Sequence, residues 1–350
     1  MKKIILLYSA IALMACSSSL NTQNNTKPIV DESLKYAATI TAKDLKKHLY
    51  IYASDDFEGR NTGEPGQKKA VEYLKNFYEN SSIISPIGGN DYFQEVPAEW
   101  LNKNTRRGTL KDSENVVAFI KGTEKPNEII VISAHLDHEG IKNGEIYNGA
   151  DDDGSGTVAI LEIAEAFKMA AKNGKGPKRS ILFLHVTGEE KGLLGSKYYT
   201  ENPLFPLANT VCNLNIDMIG RIDDAHKENT NYLYLIGSDK LSTDLHNLSE
   251  EINKKYTNIH LDYTYNDEND PNRFYYRSDH YNFAKHNIPI IFYFNGTHED
   301  YHKPTDTPDK INYDLLEKRT RLVFHTAWEV ANRDARIIAN KAQPIEENND

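Results

Sequence analysis

Ile129-Ile130-Val131-Ile132-Ser133-Ala134, running straight into His135-Leu136-Asp137, is the stretch on which the fold turns. It is too short for a helix, rich in β-branched residues and bounded by polar turns, so it reads as a buried strand. Runs at 181–186, 211–216 and 288–294 have the same form. Between the first two runs, residues 157–171 place Val158, Leu161, Ala164 and Phe167 at helical spacing, giving one apolar face suited to packing on a sheet. Asn173-Gly174 and Gly176-Pro177 then stop it. Short apolar strands alternating with amphipathic helices predict an α/β fold, with a mostly parallel central sheet flanked by helices on both faces.

Working outward, residues 42–52 and 66–78 read as helices, and 116–120 as a strand leading into a turn at Lys121-Gly122. Downstream, 240–256 and 313–335 read as helices. No repeat or second composition regime interrupts residues 31–340, which are expected to form a single catalytic domain followed by an acidic tail at 341–350. At the other end, Lys2 and Lys3 precede an apolar run at 4–14, too short to span a membrane comfortably. Leu13-Met14-Ala15-Cys16 resembles the lipobox of bacterial lipoproteins, with Met14 an unusual occupant. That resemblance implies a signal peptide at 1–16, lipidation of Cys16, a flexible polar tether at 17–30, and an exported lipoprotein of the cell envelope, at the outer membrane or periplasmic face. The other cysteine, Cys212, lies in an apolar run and is expected to be buried and inert. With 51 acidic and 41 basic residues, net charge -10, the chain would repel nucleic-acid phosphates, and no nucleic-acid partner is expected.

In open α/β sheets ligands bind at the carboxyl ends of the strands. The first run delivers His135-Leu136-Asp137, the second Gly188-Glu189-Glu190, the third Asp217, and the fourth leads by a short loop to Tyr301-His302. Gly149-Ala150-Asp151-Asp152-Asp153-Gly154-Ser155-Gly156 opens the long helix. Carboxylates gathered in one crevice repel one another and raise each other's pKa, a cost that metal cations remove. Imidazole and carboxylate donors without thiolates suit zinc, with cobalt or manganese compatible.

Taken in order, His-x-Asp, Gly-Ala-Asp-Asp-Asp-Gly-Ser-Gly, Gly-Glu-Glu, Asp-Met and Tyr-His resemble the co-catalytic two-zinc aminopeptidases, the metallopeptidase family of secreted bacterial leucyl aminopeptidases and glutamate carboxypeptidase relatives. The resemblance implies a zinc-peptidase architecture with two Zn(2+) per chain. His135, Asp152 and Asp217 would hold one ion, and Asp152, Glu190 and His302 the other, with Asp152 bridging and the peptide bond after it cis. Glu189 would be the general base for a metal-bridging hydroxide that attacks the scissile carbonyl, Asp137 would accept the second ring proton of His135, and Tyr301 would stabilise the oxyanion. Asp151 and Asp153 read as helix-start carboxylates. His138 and His298 lie near ligands in sequence, but family position favours His135 and His302. His185 reads as a core histidine, and the loop 266–270 as a solvated turn. Arg277-Ser278-Asp279-His280 and Arg221 are candidates for the substrate crevice. The implied activity is removal of N-terminal residues from peptides, because the distance from Gly59 to His135 is too short for the extra domain of the carboxypeptidase branch. A single-zinc glutaminyl cyclase and a dipeptidase or carboxypeptidase of the same fold are the alternatives.

Overall fold

The computed structural model describes residues 31–341. The signal peptide, Cys16, the tether and the acidic tail beyond 341 lie outside the described residues. Among the described residues, no helix is long and apolar enough to cross a membrane.

In chain order the strands are β1 (Phe93–Val96), β2 (Ser113–Ile120), β3 (Lys125–His135), β4 (Gly140–Lys142) and β5 (Glu145–Tyr147). They continue with β6 (Arg179–Val186), β7 (Thr210–Ile216), β8 (Tyr232–Ile236), β9 (His260–Asp262) and β10 (Ile290–Phe294). One 8-stranded sheet has the order β1-β2-β6-β3-β7-β10-β8-β9, and β4 and β5 form a small separate hairpin. Its centre, β6-β3-β7-β10, is parallel throughout. Antiparallel pairings lie outside it, β1-β2-β6 on one side and β10-β8 on the other. The parallel centre matters most, because it brings four strand ends to the same edge.

The continuous apolar character of β3 follows from burial on both faces. Ile130, Ile132 and Ala134 point into the larger core, whereas Ile129 and Val131 point into a second core on the opposite face. Helices Ala42–Tyr52, Gly156–Lys172 and Tyr313–Asn332 cover the first face. Their packing is aromatic at its centre, the Phe167 ring lying 4.9 Å from Phe324 and 5.7 Å from Trp328. Helices Leu194–Glu201 and His280–Ala284 cover the second face, with Tyr199 5.8 Å from Phe283. Thr41 starts helix Ala42–Tyr52 by accepting the Asp44 N–H at 3.1 Å.

Local chemistry explains where elements depart from expectation. The helix expected over 240–256 breaks into Ser238–Leu241 and Thr243–Ile252. Ser242 is extended between them, and its hydroxyl accepts the Leu245 N–H at 3.1 Å, a helix-starting role that serine favours over a helix interior. The last central strand begins at Ile290 rather than 288, since Pro289 has no N–H for the ladder. Cys212 is buried, and burial pushes its thiol up to about 12. His185 is a core residue whose Nε2 lies 2.7 Å from the Tyr78 hydroxyl, and burial depresses its pKa to about 3.

Replacing Phe167 by alanine should cost about 3–5 kcal/mol of unfolding free energy. Urea denaturation followed by circular dichroism measures this directly; a loss under about 1 kcal/mol would mean the two helices are not clamped there.

Candidate metal centre

Parallel pairing sets the ends of β6, β3, β7 and β10 side by side. His135 is the last residue of β3, and Asp217 follows β7 directly. Glu189 and Glu190 lie just beyond β6, and His302 in the loop after β10. Asp152 enters from the turn that opens helix Gly156–Lys172, and its peptide bond to Asp153 is cis.

The five expected ligands meet, with Asp152 at the centre. Its Oδ1 lies 3.1 Å from His135 Nε2, which is 3.6 Å from Asp217 Oδ1. Its Oδ2 lies 2.9 Å from His302 Nε2, which is 3.4 Å from Glu190 Oε1. The two oxygens of one carboxylate thus face two separate donor groups. All are buried except His302, whose side chain is 34% exposed. Burial opposes a charged His302, yet Asp152 and Glu190 outweigh it and lift its pKa to about 10. Burial also acts against the Asp152 carboxylate, but His135 and His302 hold it well below the usual range.

Several buried polar atoms here lack any hydrogen-bond partner: His135 Nε2, Asp152 Oδ2, Glu190 Oε1 and both ring nitrogens of His138. Buried polar groups are expensive to leave unpaired. Their convergence from different elements onto shared points fits cations, and nitrogen and oxygen donors without sulfur fit zinc.

Three readings from the sequence change in detail. The His135 ring meets the main-chain oxygen of Asp137 at 3.0 Å, while the nearer Asp137 carboxylate oxygen stands 3.9 Å away. That carboxylate instead accepts the Glu189 N–H at 3.1 Å and the Thr62 hydroxyl at 2.7 Å, so it sets the backbone of the expected base. His138 is not peripheral: its Nδ1 lies 2.9 Å from Glu190 Oε1 and 3.8 Å from Asp152 Oδ2. Asp153 does more than start a helix. It accepts the N–H groups of Gly156 at 2.9 Å, Met218 at 3.1 Å and His135 at 3.2 Å.

The remaining candidates separate cleanly. Glu189, Arg277 and Tyr301 line a cavity with Asp152, Asp217 and His302, walled by Met218, Phe274, Phe292 and Phe294. Arg277 donates to the Tyr301 hydroxyl at 3.4 Å. Burial and the neighbouring carboxylates of Asp152, Glu190 and Glu189 raise the Tyr301 pKa, so its proton stays on. Ser278 donates to Asp217 Oδ2 at 2.6 Å, and Asp279 accepts from Ser196 at 2.5 Å. His280 is packed on Phe292, and Arg221 pairs with Asp300 at 2.8 Å, outside that cavity wall. His298 lies 3.2 Å from Asp151 Oδ2. In the 266–270 loop, Asp267 closes a turn by accepting the Asn269 N–H at 2.8 Å.

Sequence reasoning missed Arg60 and Asp306. Arg60 is fully buried and donates to the carbonyls of Asn148 at 2.7 Å, Gly149 at 2.9 Å, and Leu136 and Tyr52 at 3.1 Å. Asp306 accepts the Asp151 and Asp152 N–H groups at 3.0 and 3.2 Å. Neither carried a local signal, because each acts across a long stretch of chain.

Comparison with known proteins places the chain among peptidases. Residues 115–327 match the model of peptidase family M28. Aminopeptidase YwaD of Bacillus subtilis strain 168 is 25% identical over 360 residues, covering 95% of this chain and 73% of that protein. Among solved structures, the zinc aminopeptidase BSAP from Bacillus subtilis aligns with a TM-score of 0.64 at 17% identity, over 87% of this chain and 99% of that one. The glutaminyl cyclase of Porphyromonas gingivalis aligns equally well, TM-score 0.64 at 17% identity, over 83% and 98%. At such identities the structural likenesses establish the fold alone.

Removing metal with a chelator should lower the melting temperature, and zinc should restore it. Zinc at a hundredfold its dissociation constant contributes about 2.7 kcal/mol per site. An unchanged melting temperature in differential scanning fluorimetry would count against a metal centre.

Proposed function

The chain belongs to peptidase family M28 and is a peptide hydrolase; on that premise we propose that it is a two-zinc aminopeptidase, removing residues from the free N-terminus of peptides. His135, Asp152 and Asp217 would hold one zinc ion, and Asp152, Glu190 and His302 the other. Bound zinc would supply a polarised carbonyl and a water of lowered pKa.

The observation that carries the reading is the setting of Glu189. Its main chain is tied to the buried Asp137 carboxylate at 3.1 Å, and its side chain shares a cavity wall with Asp152, Asp217, Tyr301 and His302. Burial, together with Glu190 and Asp217, raises its pKa well above that of a free glutamate, although His135 opposes the shift. Placed on that wall, Glu189 would take a proton from the attacking water and return it to the leaving amine. Tyr301 receives a hydrogen bond from Arg277, which leaves its own O–H to donate to the developing oxyanion. The apolar wall of Met218, Phe274, Phe292 and Phe294 suits an apolar side chain on the residue removed.

Support for cleavage at the N-terminus comes from the likeness to an aminopeptidase over nearly the whole chain. The first sixteen residues support export and lipid attachment at Cys16; Cys16→Ser should move the protein from the membrane to the soluble fraction on cell fractionation.

Glu189→Gln should lower kcat about 10²–10⁴-fold on leucine p-nitroanilide while metal content, measured by mass spectrometry, stays the same. Phenanthroline should abolish wild-type turnover, and N-acetylation of the substrate should prevent it. Cleavage of blocked substrates, or cyclisation of an N-terminal glutamine with one zinc per chain, would overturn the assignment.

A further inference from the structure

The sequence supplies a third imidazole at the centre. His138 is fully buried, and Gly149 fixes its ring: a Cβ at position 149 would stand 2.5 Å from ring atoms Cγ and Cδ2. Its backbone is pinned too, the N–H donating to the Arg60 carbonyl at 3.3 Å. So held, the ring points Nδ1 at the group formed by Asp152 and Glu190.

We propose that His138 is a direct ligand, through Nδ1, of the ion that Asp152, Glu190 and His302 would hold, giving that ion four protein donors. The inference rests on the two-zinc reading above. Distances carry it. Tetrahedral zinc with bonds of about 2.0–2.2 Å keeps its donors roughly 3.3–3.6 Å apart. His302 Nε2 lies 2.9 Å from Asp152 Oδ2 and 3.4 Å from Glu190 Oε1. His138 Nδ1 lies 3.8 and 2.9 Å from the same two oxygens. The two imidazoles therefore span one carboxylate pair at separations that straddle the tetrahedral edge.

A hydrogen bond from His138 to Glu190 is the competing role. Despite the 2.9 Å approach, neither His138 Nδ1 nor Glu190 Oε1 has a hydrogen-bond partner of acceptable geometry. Two donors that share an ion approach each other without hydrogen bonding, and that is how this pair stands. The opposite group has three donors, His135, Asp152 and Asp217. The two ions would thus differ in kind. The substrate cavity is nonetheless lined by ligands of both groups, Asp217 and His302 among them.

X-ray absorption at the zinc edge of the fully loaded protein decides the point. Three imidazoles shared between two ions are expected, and two would overturn the proposal while leaving an active two-zinc peptidase intact. If no zinc binds, both readings fall. In chelator competition His138→Ala should weaken one ion at least ~10-fold and leave the other unchanged, and its absorption spectrum should lose one imidazole. A variant that loses affinity but no imidazole from the spectrum would assign His138 a hydrogen bond to Glu190 and overturn ligation. Should His138→Ala fail to fold, the wild-type count stands as the test.

Discussion

The carboxylate of Asp153 ties the centre together. Its oxygens accept main-chain N–H groups from the end of β3, the start of helix Gly156–Lys172 and the turn after β7. Those segments carry His135, Asp152 and Asp217. Burial makes the Asp153 charge unfavourable and raises its pKa well above that of a free aspartate, so three donors are needed to keep it in place. A shift of this one group moves three ligand-bearing segments at once. Gly156 belongs to the same constraint, because a Cβ there would stand 2.4 Å from Asp153 Oδ1.

Around this node the fold resolves a conflict of charge. Parallel strands bring their ends together, and those ends carry mostly acids. Hydrogen bonds hold the outer carboxylates: both oxygens of Asp137 by Thr62 and Glu189, one oxygen of Asp306 by the Asp151 and Asp152 backbone, and one of Asp279 by Ser196. The inner atoms of Asp152 and Glu190 are left to a cation. The surrounding carboxylates are thus each anchored by protein donors, whereas Asp152 and Glu190 turn oxygens toward the candidate metal positions.

Most of the scaffold was legible in the sequence because it is written locally. Strand runs announced themselves by length and apolarity, and the residues following each run fell at the carboxyl edge by topology. Where reading failed, the cause was distance or competition. Ser242 broke a helix by capping the next one. His138 was discounted because a chain position three residues past His135 does not tell which way a ring will turn; Gly149 and Arg60, distant in sequence, decide that. The Asp137 carboxylate was expected to orient His135, but a carbonyl took that place and freed it for Glu189.

The Arg60 clamp also bears on where the functional unit begins. The family match starts at residue 115 and contains every expected ligand. Yet Arg60 fastens Leu136, Asn148 and Gly149, and Thr62 fastens Asp137, from outside that span. A fragment cut to the matched region would keep the chemistry in its sequence and lose the means of aiming it. The segment before the first strand is a brace for the active centre rather than a leader to it.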